Sequence, residues 1–124
     1  RNCLLNKKFK LSKGNQKRDY CYIDDVIDAI FLALKSKKNN GEIINIGSGK
    51  PRTVRYLVDY VCKLIGKGRP CFGKLSYRKQ ENMNVYPNIK KAWEKLKWKP
   101  KTSFARAVKL TINYCGKNLK VYER

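Results

Sequence analysis

Apolar residues recur along this chain with two different periods, and the changes of period mark out its elements. Lys8 to Ser12 alternates polar and apolar positions, the period of a short strand. Lys13-Gly14-Asn15 is turn material, and Tyr20 to Ile23 reads as a short extended segment. The period then lengthens to that of a helix, running from Asp25 to about Lys37. Asp24 is placed to cap it, and Asp25 and Asp28 complement its positive N-terminal end. Asn39-Asn40-Gly41 stops it.

That helix differs from the others. Val26, Ile27 and the unbroken run Ala29 to Leu34 wrap apolar surface most of the way around it. A helix of this kind is buried on more than one side. The remaining helices have one apolar face each, so the chain holds little to cover it. A partner layer is expected, from the same polypeptide or another subunit.

Glu42 to Ile46 is a strand candidate that runs into the turn Gly47-Ser48-Gly49. Thr53 is placed to cap the next helix, whose Val54, Leu57, Val61 and Ile65 keep helical spacing up to Gly66. Gly66 to Pro70 reads as a loop, and Phe72 to Arg78 as containing a short strand. Asn88 is expected to cap a helix that turns Ile89, Ala92, Trp93 and Leu96 inward, and Pro100 breaks it. Thr102 or Ser103 begins the last helix, with Phe104, Ala107, Val108, Thr111, Ile112 and Cys115 on one face. The mixed pattern is α/β.

The 124 residues suit one domain, spanning 1–124, and 42% hydrophobic residues support a modest core. The net charge is +21, from 30 Lys and Arg against 9 Asp and Glu. Such a charge attracts polyanions, so a basic nucleic-acid-binding module is the rival class. The basic residues, however, are spread through every segment and form no stripe interleaved with aromatics. Solvated faces explain them better. Histidine is absent, which excludes Ser-His or Cys-His catalysis within this chain. Five cysteines without a CxxC pair lack zinc-ligand spacing and fit a reducing, cytoplasmic setting. The longest wholly apolar run, Ala29 to Leu34, is far short of the roughly 18 residues of a membrane span. The opening at Arg1, without Met, is consistent with a piece of something longer.

Three apparent motifs read as structural. Tyr86-Pro-Asn-Ile-Lys90 has the Tyr-x-x-x-Lys spacing in which a lysine one helical turn away activates a tyrosine. Pro87 places Tyr86 ahead of a helix rather than inside one. Gly47-Ser-Gly49 follows a strand candidate, but Arg52 stands where a dinucleotide fingerprint needs its third glycine. Adjacent Asp24 and Asp25 point in different directions at a helix start, which does not suit paired-carboxylate catalysis. Asn45 is expected to satisfy backbone groups of the following turn.

Four further segments, taken in order, carry a resemblance. They are Arg18-Asp-Tyr-Cys-Tyr-Ile-Asp-Asp-Val26, Gly41-Glu-Ile-Ile-Asn-Ile-Gly-Ser-Gly-Lys-Pro51, Tyr77-Arg-Lys-Gln-Glu81 and Trp98-Lys-Pro-Lys-Thr-Ser103. Their order and spacing resemble the C-terminal half of the extended short-chain dehydrogenase/reductases, the NAD-dependent nucleotide-sugar epimerases, dehydratases and reductases. The similarity runs from about Leu5 to Cys115. Leu11 to Val26, Phe72 to Arg78 and Met83 are most similar to the CDP-abequose/paratose synthase-type reductases.

The resemblance implies the C-terminal portion of a Rossmann-type enzyme, with short strands, about four helices and no cofactor-binding half. NAD or NADP and the catalytic tyrosine and lysine would then belong to the whole enzyme, none of them to this chain. This chain would bind a nucleoside-diphosphate sugar, with the N-terminal Rossmann half or a partner subunit, and a homodimer, as further partners. By the family's pattern, Arg18 and Arg78 contact the diphosphate, Glu81 bonds a ribose hydroxyl, and Phe9 and Leu11 flank the base. Planar guanidinium groups suit a diphosphate because they donate paired, charge-assisted hydrogen bonds. Gln80 stands where the family has glycine, a departure that bears on Glu81.

Overall fold

In the computed structural model, which describes residues 1–122, the α-helices fall close to where the helical period places them, whereas of the expected strands only the one at Lys8 to Ser12 forms. Strand β1 (Lys8–Lys10) pairs in parallel with β4 (Arg69–Cys71), Phe9 standing opposite Pro70. A second, three-stranded sheet has β2 (Lys17–Arg18) at its centre. It runs antiparallel to β3 (Arg52–Thr53) and parallel to β5 (Asn84–Val85). The described residues also form four α-helices: α1 (Ile23–Lys35), α2 (Val54–Ile65), α3 (Lys90–Leu96) and α4 (Phe104–Lys117).

Two caps form as the sequence predicts. Thr53 Oγ1 accepts from the Tyr56 N–H at 3.1 Å, and Gly66 ends α2 at a φ of 69°, a left-handed position that costs glycine little. Ser103 Oγ accepts from the Arg106 N–H at 3.3 Å and starts α4.

Elsewhere the boundaries move. Helix α1 starts two residues early, so Tyr22 is its N-cap and Asp24 lies in the first turn, where its charge still complements the helix end. Ladder pairing falls at Lys17–Arg18 and not at Tyr20 to Ile23. Glu42 to Ile46 finds no ladder partner among the described residues and is irregular. Ile44 and Ile46 pack on the core, while Ile43 is 82% exposed. The expected loop at 66–70 contributes β4, because Arg69 N–H reaches the Lys7 carbonyl and continues into the β1 pairing. Phe72 to Arg78 is turn rather than strand, bent at Gly73 with a φ of 74°.

Helix α3 begins at Lys90 with Ile89 as N-cap, and Asn88 Oδ1 accepts from the Lys90 N–H at 2.9 Å. Ala92 and Leu96, four apart, face inward, which leaves Trp93 on the flank at 50% exposure. The inward tryptophan is Trp98. Lys97 adopts a φ of 54° and folds the chain back, Trp98 N–H reaches the Ala92 carbonyl, and the indole enters the core at 2% exposure.

The core is small: Ala29 of α1, Ala92 and Leu96 of α3, and Trp98, with Cys21, Ile44 and Ile46 against them. Helix α1 buries little beyond Asp25 and Ala29. Its Ile23, Ile30, Phe31 and Leu34 are all more than half exposed, in line with the all-round apolar pattern. No helix of the described residues is long and apolar enough to cross a membrane.

Candidate functional site

The Arg18–Asp19 dipeptide lies at and just beyond the end of β2, and every side chain on it is held. Arg18 stands opposite Arg52 on one side and Val85 on the other. Its Nη1 donates to the Lys17 carbonyl at 2.7 Å, and its Nη2 makes an ion pair with Glu81. Both partners are largely covered, with 28% and 17% of their side chains exposed. A guanidinium has five N–H donors. These two contacts leave the others for an incoming anion.

Asp19 closes the neighbouring turn. Its Oδ1 accepts from the Ser48 N–H at 2.6 Å and its Oδ2 from the Gly49 N–H at 2.7 Å. The turn's donors are thus satisfied by a carboxylate of the chain, which makes Gly47-Ser-Gly49 a braced turn and not a phosphate cradle. Asp19 performs the role expected of Asn45, which is exposed. A Cβ on Gly47 would lie 2.4 Å from Pro87 Cγ and 3.2 Å from the Asp19 carboxyl, so only glycine fits there.

Behind this dipeptide, Asp25 holds the stretch before α4. It is buried, its Oδ1 and Oδ2 accept from the Lys101 and Thr102 N–H groups at 3.2 and 3.0 Å, and its carbonyl accepts from Trp98 Nε1 at 2.9 Å. The role is structural, as its paired-carboxylate reading with Asp24 already lacked support. Burial, then the charges of Asp25 and Asp19, push the Cys21 thiol up; burial also raises Tyr20, which Arg18 partly offsets.

A cavity of about 530 Å³ opens beside these residues, with Arg18, Asn45, Gly47, Tyr86 and Asn88 in its wall. A larger groove of about 780 Å³ lies between α2 and α4, lined mainly by apolar side chains such as Val61, Phe104 and Val108. Polar groups converge in the smaller one, which makes it the candidate site. Tyr86 precedes α3, where Lys90 is the first residue, so the two do not stand one turn apart within a helix.

Glu81 is in contact with Arg18, and its N–H donates to the Arg78 carbonyl at 3.0 Å, so Arg78 shares the turn that delivers the acid to β2. The Arg78 side chain is exposed and makes no ion pair among the described residues. Phe9 and Leu11 belong to the β1 side, both half-buried. They connect to the Arg78 segment through its backbone: the Leu11 carbonyl accepts from the Lys74 and Leu75 N–H groups at 3.0 and 3.1 Å. Asn15 N–H also donates to the Tyr77 hydroxyl at 3.1 Å.

Sequence reasoning missed Asp19, Asp25, Trp98 and Arg52. The Arg52 guanidinium stacks on Tyr56 and Phe104, 4.8 and 4.5 Å from their ring centres, opposite Arg18. Only long-range pairing reveals that placement.

Residues 2–111 match the family described as GDP-mannose 4,6 dehydratase. A UDP-glucuronate 4-epimerase of Thermodesulfobacterium geofontis is 32% identical over 109 residues, which is 87% of this chain and 33% of that protein. The structure of a UDP-glucose 4-epimerase from Thermotoga maritima with UDP-glucose superposes with a TM-score of 0.86 at 33% identity, covering 95% of this chain and 38% of that one. A UDP-glucuronic acid 4-epimerase from Bacillus cereus, in complex with UDP-glucuronic acid and NAD, gives 0.82 at 31% identity over 94% and 37%. The chain therefore spans about a third of the length of the curated relatives it matches.

Proposed function

This chain belongs to the GDP-mannose 4,6-dehydratase family of extended short-chain dehydrogenase/reductases, and from that premise we propose that it grips the nucleotide end of a nucleoside-diphosphate sugar. Arg18 and Arg78 bind the diphosphate, Glu81 orients the ribose, and Phe9 and Leu11 flank the base. Catalysis then needs a cofactor-binding half, either in the same polypeptide or a partner subunit, that supplies NAD or NADP and the tyrosine–lysine pair. The sugar is carried to that chemistry; this chain contributes positioning rather than bond making.

The observation that supports this most is the Arg18–Glu81 pair beside the 530 Å³ cavity, with Arg78 on the same turn as Glu81. The ion pair holds Arg18 in one orientation before any ligand arrives, which lowers the ordering cost of binding. Arg18 and Arg78 are offset in formal charge by Glu81 and Asp19, but the Asp19 carboxylate is already engaged by the Ser48 and Gly49 N–H groups, so it is the free guanidinium N–H donors that suit the site to a diphosphate. The exposed apolar face of α1 and the irregular 42–46 segment are where the cofactor-binding half would pack.

The test is an assay of epimerisation, dehydration and reduction of nucleotide sugars by this chain with NAD or NADP. No turnover is expected from the chain alone, and turnover would overturn the division of labour. A parallel titration with duplex DNA addresses the basic-module reading. Binding at micromolar or tighter affinity with a steep salt dependence would favour that rival.

A further inference from the structure

Cys3 and Cys62, 59 positions apart, have their sulfur atoms 3.4 Å from each other. Both carry free thiols. Among the described residues no other pair of cysteines comes within bonding range of each other. We propose that Cys3 and Cys62 form a thiol pair built to close into a disulfide, a modification site that ties the N-terminal turn to α2.

Both sulfurs are held in place from the backbone. Cys62 lies on the last turns of α2, so its position is set by the helix. Cys3 lies in a turn whose Leu5 N–H donates to the Arg1 carbonyl and whose Lys7 N–H donates to the Asn2 carbonyl, at 3.0 and 2.9 Å. The loop after α2 grips that turn. Gly68 N–H donates to Asn6 Oδ1 and Arg69 Nη2 to the Asn6 carbonyl, each at 3.2 Å. Gly68, at a φ of 105°, packs so closely that a Cβ there would lie 2.9 Å from Cys3 Sγ. Neither thiol can swing far from the other while these contacts stand. A disulfide needs sulfurs about 2 Å apart, a closure that small side-chain rotations supply.

The chemistry takes a low-molecular-weight disulfide, such as glutathione disulfide, as oxidant. Cys62 is the more accessible sulfur, since Cys3 is buried. Its thiolate attacks one glutathione sulfur and expels a glutathione thiolate, leaving a mixed disulfide on Cys62. The Cys3 thiolate then attacks Cys62 Sγ and expels the second glutathione. Two electrons and two protons leave the cysteine pair, and one glutathione disulfide becomes two glutathiones. Burial, then the neighbouring Cys3, push the Cys62 thiol up to about 11, so its attacking thiolate is scarce near neutral pH and the exchange speeds up as pH rises.

The test treats the folded chain with glutathione disulfide at mildly alkaline pH and reads intact mass, a non-reducing peptide map and melting temperature. The proposal expects loss of two hydrogens, a dominant Cys3–Cys62 cross-linked peptide, and a melting temperature several degrees higher that reverts on reduction. Cys3→Ser is expected to stop at a glutathione adduct on Cys62. Cross-links scattered over other cysteine pairs, or no cross-link in the unaltered chain, would overturn it. The map of the unaltered chain decides the matter even if a variant fails to fold.

Discussion

Arg18 and Glu81 are 63 positions apart in sequence and meet as an ion pair at the end of β2. The contact fixes two things at once, the orientation of the guanidinium and the course of the turn that carries Arg78. Because both groups are mostly covered, the pair is worth more than a solvent-exposed one. A double-mutant cycle with R18A and E81A, read by urea unfolding, is expected to give a coupling of about 1 kcal/mol that shrinks at high salt. Additive effects would mean that the pair does not form.

Asp25 carries the connection between α1 and the stretch leading into α4. D25A leaves two backbone N–H groups without their acceptor in a covered setting, at roughly 1–3 kcal/mol each. The expected loss is about 3 kcal/mol in chemical denaturation, with a loss of about 2 kcal/mol for W98F, which removes the Nε1 donor and part of a ring buried in the core. A loss for D25A below 1 kcal/mol would show that the carboxylate is not anchoring that stretch.

Gly47 tests the brace around Asp19. G47A places a methyl group against Pro87 and the Asp19 carboxyl, an overpacking expected to cost about 2 kcal/mol. Since Pro87 lines the candidate cavity, any ligand affinity should fall with it. A neutral G47A would mean the turn is looser than the close contact implies.

Glu42 sets an acid-sensitive contact. Hydrogen bonds from Lys91 and then Lys95, at 2.6 and 3.0 Å, hold its carboxyl below its ordinary value of 4.5. A depressed folded value adds stability above the unfolded one, and that stability disappears as pH falls through the folded value. Wild type should therefore lose stability more steeply than E42Q as pH falls below about 4.5, and the two curves should converge in strong acid. Parallel curves across that window would show that Glu42 is not engaged.

Much of the helical frame was legible beforehand, because its signals are local. The Thr53 and Ser103 caps, the Gly66 stop and the apolar spacing of α2 and α4 each need only a few neighbouring residues. The strands were legible only in part, since a two-residue ladder such as Lys17–Arg18 exists by virtue of partners far along the chain. Glu42 to Ile46 has a strand's composition without a strand's partner among the described residues. Trp93 and Trp98 are indistinguishable by period, and the left-handed turn at Lys97 decides which one is buried. The resemblance singled out Arg18, which lines the candidate cavity, but not its pairing with Glu81: the same pattern assigned the two residues to different parts of a ligand.

Diphosphate binding by Arg18 and Arg78 is tested most directly by a melting-temperature titration of the chain with CDP, UDP, GDP and dTDP, repeated on R78A. It predicts that at least one nucleoside diphosphate raises the melting temperature in a saturable way. R78A should shift that midpoint about tenfold or more, as the loss of one charge-assisted phosphate contact requires. No stabilisation by any of the four, or an equal response from R78A, would contradict it.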